Sequence, residues 1–214
     1  MKKIIILIMA IAMAMPSVYA QNKALKKAHQ KEYKMKMKEY KQEGWKIFGT
    51  SRSLNVALLT HYDKLNSLGE NGYEVVGVCT RYKSDNVGHQ AAINNACNTY
   101  ARQAGSTLKG RILSDMFGDA DQPEAEFDKF YAAYETLVEK EIKGELRESY
   151  CVYRSLGNGE KTMQAFFVVD EDAAMRARLR ALENASKESE AAQRYARKVS
   201  DFVREGFVNN EKGD

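Results

Sequence analysis

The sequence predicts an α+β protein: a mostly antiparallel sheet of about four strands packed by long helices, with a helical N-terminal arm and a long C-terminal helix. Three observations carry this. Long stretches poor in Gly and Pro keep apolar residues at three- and four-residue steps, as helices do. Four shorter runs are rich in β-branched and aromatic residues, as strands are. The last two of these flank Ser155-Leu156-Gly157-Asn158-Gly159-Glu160, a hairpin signature that makes their pairing antiparallel.

In chain order, Met1-Lys2-Lys3 leads into the apolar run Ile4–Met15, then Pro16 and the small-residue stretch Ser17–Ala20. These are the three regions of a secretory signal peptide. The run is too short to span a bilayer, which needs roughly 20 apolar residues. Residues 1–20 are predicted to be removed near Ala20, leaving a periplasmic or secreted chain with no transmembrane span. The full chain has 214 residues and a formal charge of +4; cleavage removes two lysines and no acid, leaving 194 residues and +2. No Cys stands near the cleavage site to accept lipid.

Residues 21–44 form the predicted arm, rich in Lys, Glu, Ala and Met and therefore helical. At 100° per residue, Lys23, Lys27, Lys31, Lys34, Lys38 and Lys41 fall within about 80° of arc. Tyr33, Met37 and Tyr40 form a thin apolar edge beside this stripe, too narrow to predict deep burial. The stripe contains like-charge neighbours three and four residues apart, which together oppose the helix by about 1–2 kcal/mol. An anionic partner would relieve that repulsion, and Lys27, Lys31, Lys34 and Lys38 are its candidate contacts. The alternative is a solvated helix whose repulsion salt screens.

Residues 45–170 form the predicted core. Trp45–Gly49 alternates as a short strand, and Ser51 or Ser53 can cap a helix carrying Leu54, Ala57, Leu58, His61, Tyr62 and Leu65. After a turn at Ser67–Gly72, Tyr73–Tyr82 is long enough to be a central strand, with Gly77 marking a bulge or a close backbone contact. Asp85 is the predicted N-cap of a helix that runs to about Phe117, with small residues at Ala96, Ala101, Ala104 and Gly105. Gly118 breaks it. Asp121, Pro123 and Glu124 mark the next helix start, behind which Phe127, Phe130, Tyr131, Tyr134, Val138 and Ile142 form an aromatic core stripe. In the hairpin, Tyr150 and Val152 share one face and Cys151 and Tyr153 the other, while Ala165–Val169 is apolar on both. The hairpin is therefore predicted to lie within the main sheet, covered on at least part of each face.

Residues 171–214 form the predicted long charged C-terminal helix and tail. One helix can reach from about Asp170 to Glu205, with Met175, Leu179, Leu182, Ala185, Ser189, Ala192, Ala196, Val199 and Val203 in its seam. The seam weakens at Ser186 and Ser189, so the helix is expected to grip the body first and project later. A projecting end would allow homo-oligomeric pairing.

Catalytic patterns are sparse. His29, His61 and His89 lie on three predicted elements without a second His or Cys at metal-ligand spacing, so no metal site and no cofactor is predicted. No nucleophile-elbow, zinc-protease, Walker or dinucleotide motif occurs. Cys79, Cys97 and Cys151 read as three buried thiols, as one Cys79–Cys151 disulfide plus a thiol, or as a set containing one reactive thiol. Glu124, Glu126 and Asp128 are the densest acids at a helix start, a placement the helix dipole already accounts for. Residues 23–46 hold nine lysines against three glutamates, or +6, so the mature remainder is near −4. No extended basic surface backs the stripe, which argues against nucleic acid as the partner.

Glu43-Gly44-Trp45-Lys46 after the Lys-rich helix, the Ala-rich helix Ala91–Leu108, and Tyr153-Arg154-Ser155-Leu156-Gly157-Asn158 carry a resemblance. Over most of residues 25–185 the chain resembles a family of uncharacterised secreted proteins of Bacteroides and its relatives. More distantly, the Ala-rich helix and the strand end Val168-Val169-Asp170 resemble small envelope lipoproteins of the Helicobacter type. The resemblance implies an α+β envelope protein, lipoprotein-like but without the lipid-accepting Cys, and supplies no functional residues. The functional expectation is a non-catalytic binding or structural protein of the cell envelope that meets an anionic component or a protein partner. An envelope hydrolase using carboxylates or a thiol, and a homo-oligomeric assembly subunit paired through the last helix, are the alternatives.

Overall fold

The structure, a computed structural model, describes the backbone of residues 2–117 and 124–206, and the side chains of residues 23–115, 127–187, 189–190 and 192–206. Its elements are α1 (Lys2–Glu43), β1 (Lys46–Phe48), α2 (Leu54–Leu68), β2 (Gly72–Tyr82), α3 (Asp85–Ile112), α4 (Glu124–Ile142), β3 (Arg147–Gly157), β4 (Glu160–Asp170), α5 (Glu171–Ala185), α6 (Glu190–Arg194) and α7 (Ala196–Glu205). The predicted leader and arm thus belong to one helix. A turn of π-helix, Leu113–Phe117, extends α3. The predicted break at Gly118 and the predicted start of α4 at Asp121 and Pro123 lie outside the described residues.

The four strands form one antiparallel sheet in the order β1-β3-β4-β2. The hairpin β3–β4 occupies its centre. Gly157 pairs with Glu160 across Asn158-Gly159, and Asn158 and Gly159 both have positive φ, 52° and 74°. Such a pair matches the right-handed twist of the flanking strands. Phe166 and Val168 of β4 face one way, and Met163, Ala165, Phe167 and Val169 the other, each set in its own core cluster. This is the period-2 consequence of a strand buried on both sides.

On the first face, α1 and α2 pack over Tyr150, Val152, Phe166 and Val168. Ser53 caps α2, its hydroxyl accepting from the Val56 amide at 3.3 Å, and Ala57, Leu58, His61, Tyr62 and Leu65 are buried. On the second face, α3, α4, α5 and α7 enclose the larger cluster, which includes Cys97, Tyr100, Phe127, Phe130, Tyr134, Val138 and Val199.

Four expectations change. Asp85 is the first residue of α3 rather than its cap, which is Ser84; its carboxylate accepts from Lys161 Nζ at 2.8 and 3.0 Å instead. β2 is an edge strand, not a central one, because its pairing is with β4. Its burial comes from α3, which approaches so closely that a Cβ on Gly77 would sit 1.9 Å from the Ala92 carbonyl oxygen; Asn95 Oδ1 also accepts from the Val78 amide at 3.1 Å. The apolar edge of α1 buries more deeply than its width suggests, with Tyr40 2% exposed.

The long helix near the C-terminus is present as α5 but does not run on to Glu205. A 3-10 turn at Ser186–Glu188 follows it, and Ser189 caps the next turn, its hydroxyl accepting from the Ala192 amide. Ser and Thr side chains compete with helix continuation in this way. The chain then folds back, so that Val199, Phe202 and Val203 of α7 are buried in the main core. The seam available to a partner helix is used within the chain.

Candidate functional site

Side-chain contacts spaced from His29 to Tyr40 fasten the C-terminal part of α1 to the body. His29 Nδ1 lies 2.7 Å from Asn66 Oδ1, and Tyr33 donates to Asn55. Further along, Lys36 Nζ donates to Glu74 Oε1 at 3.1 Å and sits 4.4 Å from the centroid of the Phe166 ring, a cation over an aromatic face. Tyr40 and Tyr150 bring their hydroxyls within 3.3 Å. Trp45 closes the contact, with its indole N–H donating to Glu43 at 3.1 Å and the Arg154 guanidinium 5.1 Å from its ring.

Glu74 is the hub of this layer. His61 Nε2 lies 2.7 Å from its Oε2, opposite Lys36, and His61 itself is fully buried. Burial alone would push the Glu74 carboxyl up, but His61 and Lys36 outweigh it and hold the carboxyl below the ordinary carboxylate range. Around them, burial pushes the Tyr40, Tyr62 and Tyr150 phenols well above their usual value. Tyr150 stacks on Phe166 across the β3–β4 ladder, with centroids 4.3 Å apart. The periodicity placed His61 on the apolar face of its helix but offered no signal for Glu74 as its partner.

With that side of α1 docked, the other side is presented outward. Lys23, Lys27, Lys31, Lys34, Lys38 and Lys41 are all exposed, and among the described residues none of them has an ion-pair partner. At 1.5 Å per residue the row from Lys23 to Lys41 is about 27 Å long. The predicted contacts Lys27, Lys31, Lys34 and Lys38 are brought together on one rigid face.

A second buried charge lies under the opposite face of the sheet. Arg178 of α5 is 2% exposed; it donates to Glu171 Oε1 and to the Tyr100 hydroxyl, each at 2.5 Å, and points toward the Val203 carbonyl. Burial would lower its pKa, but Glu171 and Tyr100 hold it raised. Arg111 donates to the Phe202 and Gly206 carbonyls and to Glu205. The C-terminal end of α7 is therefore held by two guanidiniums, the charge its dipole favours. Both networks join elements and are structural in that sense.

The cysteines are far from one another. Cys79 and Cys151 lie on β2 and β3, and β4 separates them, with Met163 opposite one and Ala165 opposite the other. Two strand spacings are about 10 Å, beyond the roughly 7 Å reach of a disulfide. The Cys79–Cys151 bridge is therefore not formed, and all three cysteines are free. Burial pushes the Cys151 thiol up to about 12 and raises Cys97 as well, the wrong direction for a nucleophile. Of the acids considered for hydrolysis, Asp128 is exposed, and the side chains of Glu124 and Glu126 lie outside the described residues. Among the described residues no group of three His, Cys, Asp or Glu side chains could hold a metal ion, and no helix is long and apolar enough to cross a membrane. No protein-family model, curated protein or solved structure matches the chain.

Proposed function

We propose that the protein is a non-catalytic binding or structural component of the cell envelope, exported by the leader at residues 1–20, and that it contacts an anionic envelope surface through the lysine face of α1. One observation carries this reading. Six lysines that have no ion-pair partner among the described residues stand in a row on the side of a helix whose other side is pinned by His29, Tyr33, Lys36 and Tyr40. A helix that needed only solubility would gain from Glu at some of these positions, since Glu–Lys pairs at i,i+4 are stabilising and Lys–Lys pairs are not.

Vesicle co-sedimentation tests the reading. The protein is expected to bind vesicles of phosphatidylglycerol and phosphatidylcholine at low salt, and to lose at least tenfold in affinity when salt is raised to about 0.5 M, where screening shortens to a few ångströms. Replacing Lys27, Lys31, Lys34 and Lys38 with Gln should abolish the salt-sensitive part, because each basic residue near an anionic surface contributes about 1 kcal/mol. Binding that survives the four substitutions, or no binding by the unaltered protein, would sink the reading.

A further inference from the structure

A groove of about 450 Å³ lies at one end of the sheet, lined by residues of α2, β3, β4 and α5. Its size falls within the range of small-molecule sites. Leu68, Val168 and Ala173 contribute apolar surface, and Lys64, Arg147 and Arg176 contribute three cations. The lining also contains two acids, one capping a helix and one paired with a cation outside the lining. Asp170 caps α5, accepting from the Asp172 amide at 3.0 Å, and Glu145 accepts from Arg180 at 2.9 Å. Among the described residues, Lys64, Arg147 and Arg176 have no ion-pair partner. The groove therefore joins apolar surface to three cations, against which the lining sets one carboxylate, Asp170, without a counter-cation of its own among the described residues, so positive charge is in excess.

We propose that this groove binds a small amphipathic anion: a short alkyl or aryl body against Leu68, Val168 and Ala173, with a phosphate, sulfate or carboxylate head on Arg147, Arg176 and Lys64. The guanidinium fork matches the paired oxygens of such a head. Lys64 adds a point charge from α2. The hydroxyl of Ser67, also in the lining, donates to the Lys64 carbonyl at 2.7 Å, so the head group is held by the three cations alone. The site shares no residue with the lysine face of α1, so the two assignments stand or fall separately.

Hexyl phosphate is the probe, with amide chemical shifts of the whole protein as the readout. Saturable shifts are expected at Leu68, Arg147 and Ala173, with a dissociation constant at least tenfold higher in the Arg147→Gln/Arg176→Gln variant. Both arginines are exposed, so the variant retains its core; Lys64→Gln alone should weaken binding by a smaller factor. Inorganic phosphate should bind more weakly than hexyl phosphate, and hexyltrimethylammonium should produce no shifts at these residues. The assignment is overturned if hexyl phosphate gives no saturable shift, if the double variant binds equally well, or if the cation produces the same shifts. Equal affinity for inorganic phosphate would overturn the amphipathic part.

Discussion

A methyl group added at Gly77 would lie 1.9 Å from the Ala92 carbonyl oxygen and 2.8 Å from its carbon, both backbone atoms that cannot turn aside. Gly77→Ala is therefore expected to cost at least about 3 kcal/mol, as severe overpacking does. Gly110→Ala, in the same helix that Gly77 touches, meets no atom within 4 Å and should add about 0.5–1 kcal/mol by helix propensity. Urea denaturation of the two variants checks the pair; equal effects would mean that α3 does not lie against β2 as described. The special status of Gly77 was legible in the sequence, since an isolated Gly inside an apolar strand has few other reasons to be there. Arg178 was not legible. On a helical wheel an arginine counts as surface, and its burial depends on Tyr100, which lies 78 residues away in sequence. The same holds for His61, whose place on a buried face could be read while its carboxylate partner, on another element, could not.

At the scale of elements, one of the contacts that hold α1 to the body runs through the Glu74 carboxylate, with Lys36 on α1, His61 on α2 and Tyr150 on β3 around it. Because the folded carboxyl titrates below its ordinary value, the folded state binds fewer protons than the unfolded state in the acid range. Its contribution is full above the ordinary carboxylate pKa of about 4.3 and is lost as pH falls through the lowered value. Glu74→Gln should therefore lower stability by about 1–2 kcal/mol at pH 7, with the difference from the unaltered protein shrinking as pH falls through the lowered carboxyl pKa. Trp45 is the single tryptophan and packs against Tyr40, so its emission reports this docking; a difference independent of pH would contradict the role given to Glu74. Helices α2, α3 and α4 could be read from periodicity because one face of each is buried along most of its length. The break after α5 could not, since Ser189, Ala192 and Val199 keep helical spacing on both sides of a turn that reverses the chain. β2 was read as central from its composition, but that composition reflects cover by α3 rather than a second neighbouring strand.

Across the whole molecule, charge is divided between a +6 segment at residues 23–46 and a mildly acidic remainder. The sequence alone contained this division and the helical phase of the lysines. It lacked the docking of Tyr40 beneath Phe166 and Tyr150, which turns a thin apolar edge into a fixed orientation. Bundled helices and a covered antiparallel sheet together hold the Lys23–Lys41 stretch of α1 as a rigid rail about 27 Å long, and that rigidity lowers the entropy lost when its lysines meet a surface. The groove at the end of the sheet was not visible in the sequence, because Lys64, Arg147 and Arg176 come from three separate elements.

Lysine footprinting with an amine-reactive ester, performed on the whole protein with and without phosphatidylglycerol vesicles, tests this orientation most directly. Lys27, Lys31, Lys34 and Lys38 should become at least threefold less reactive on vesicles. Lys36, already paired with Glu74, and the exposed Lys83 on the body should not change, and phosphatidylcholine vesicles should protect none of them. Protection spread evenly over all lysines, or absent from these four while the protein is bound, would contradict the account.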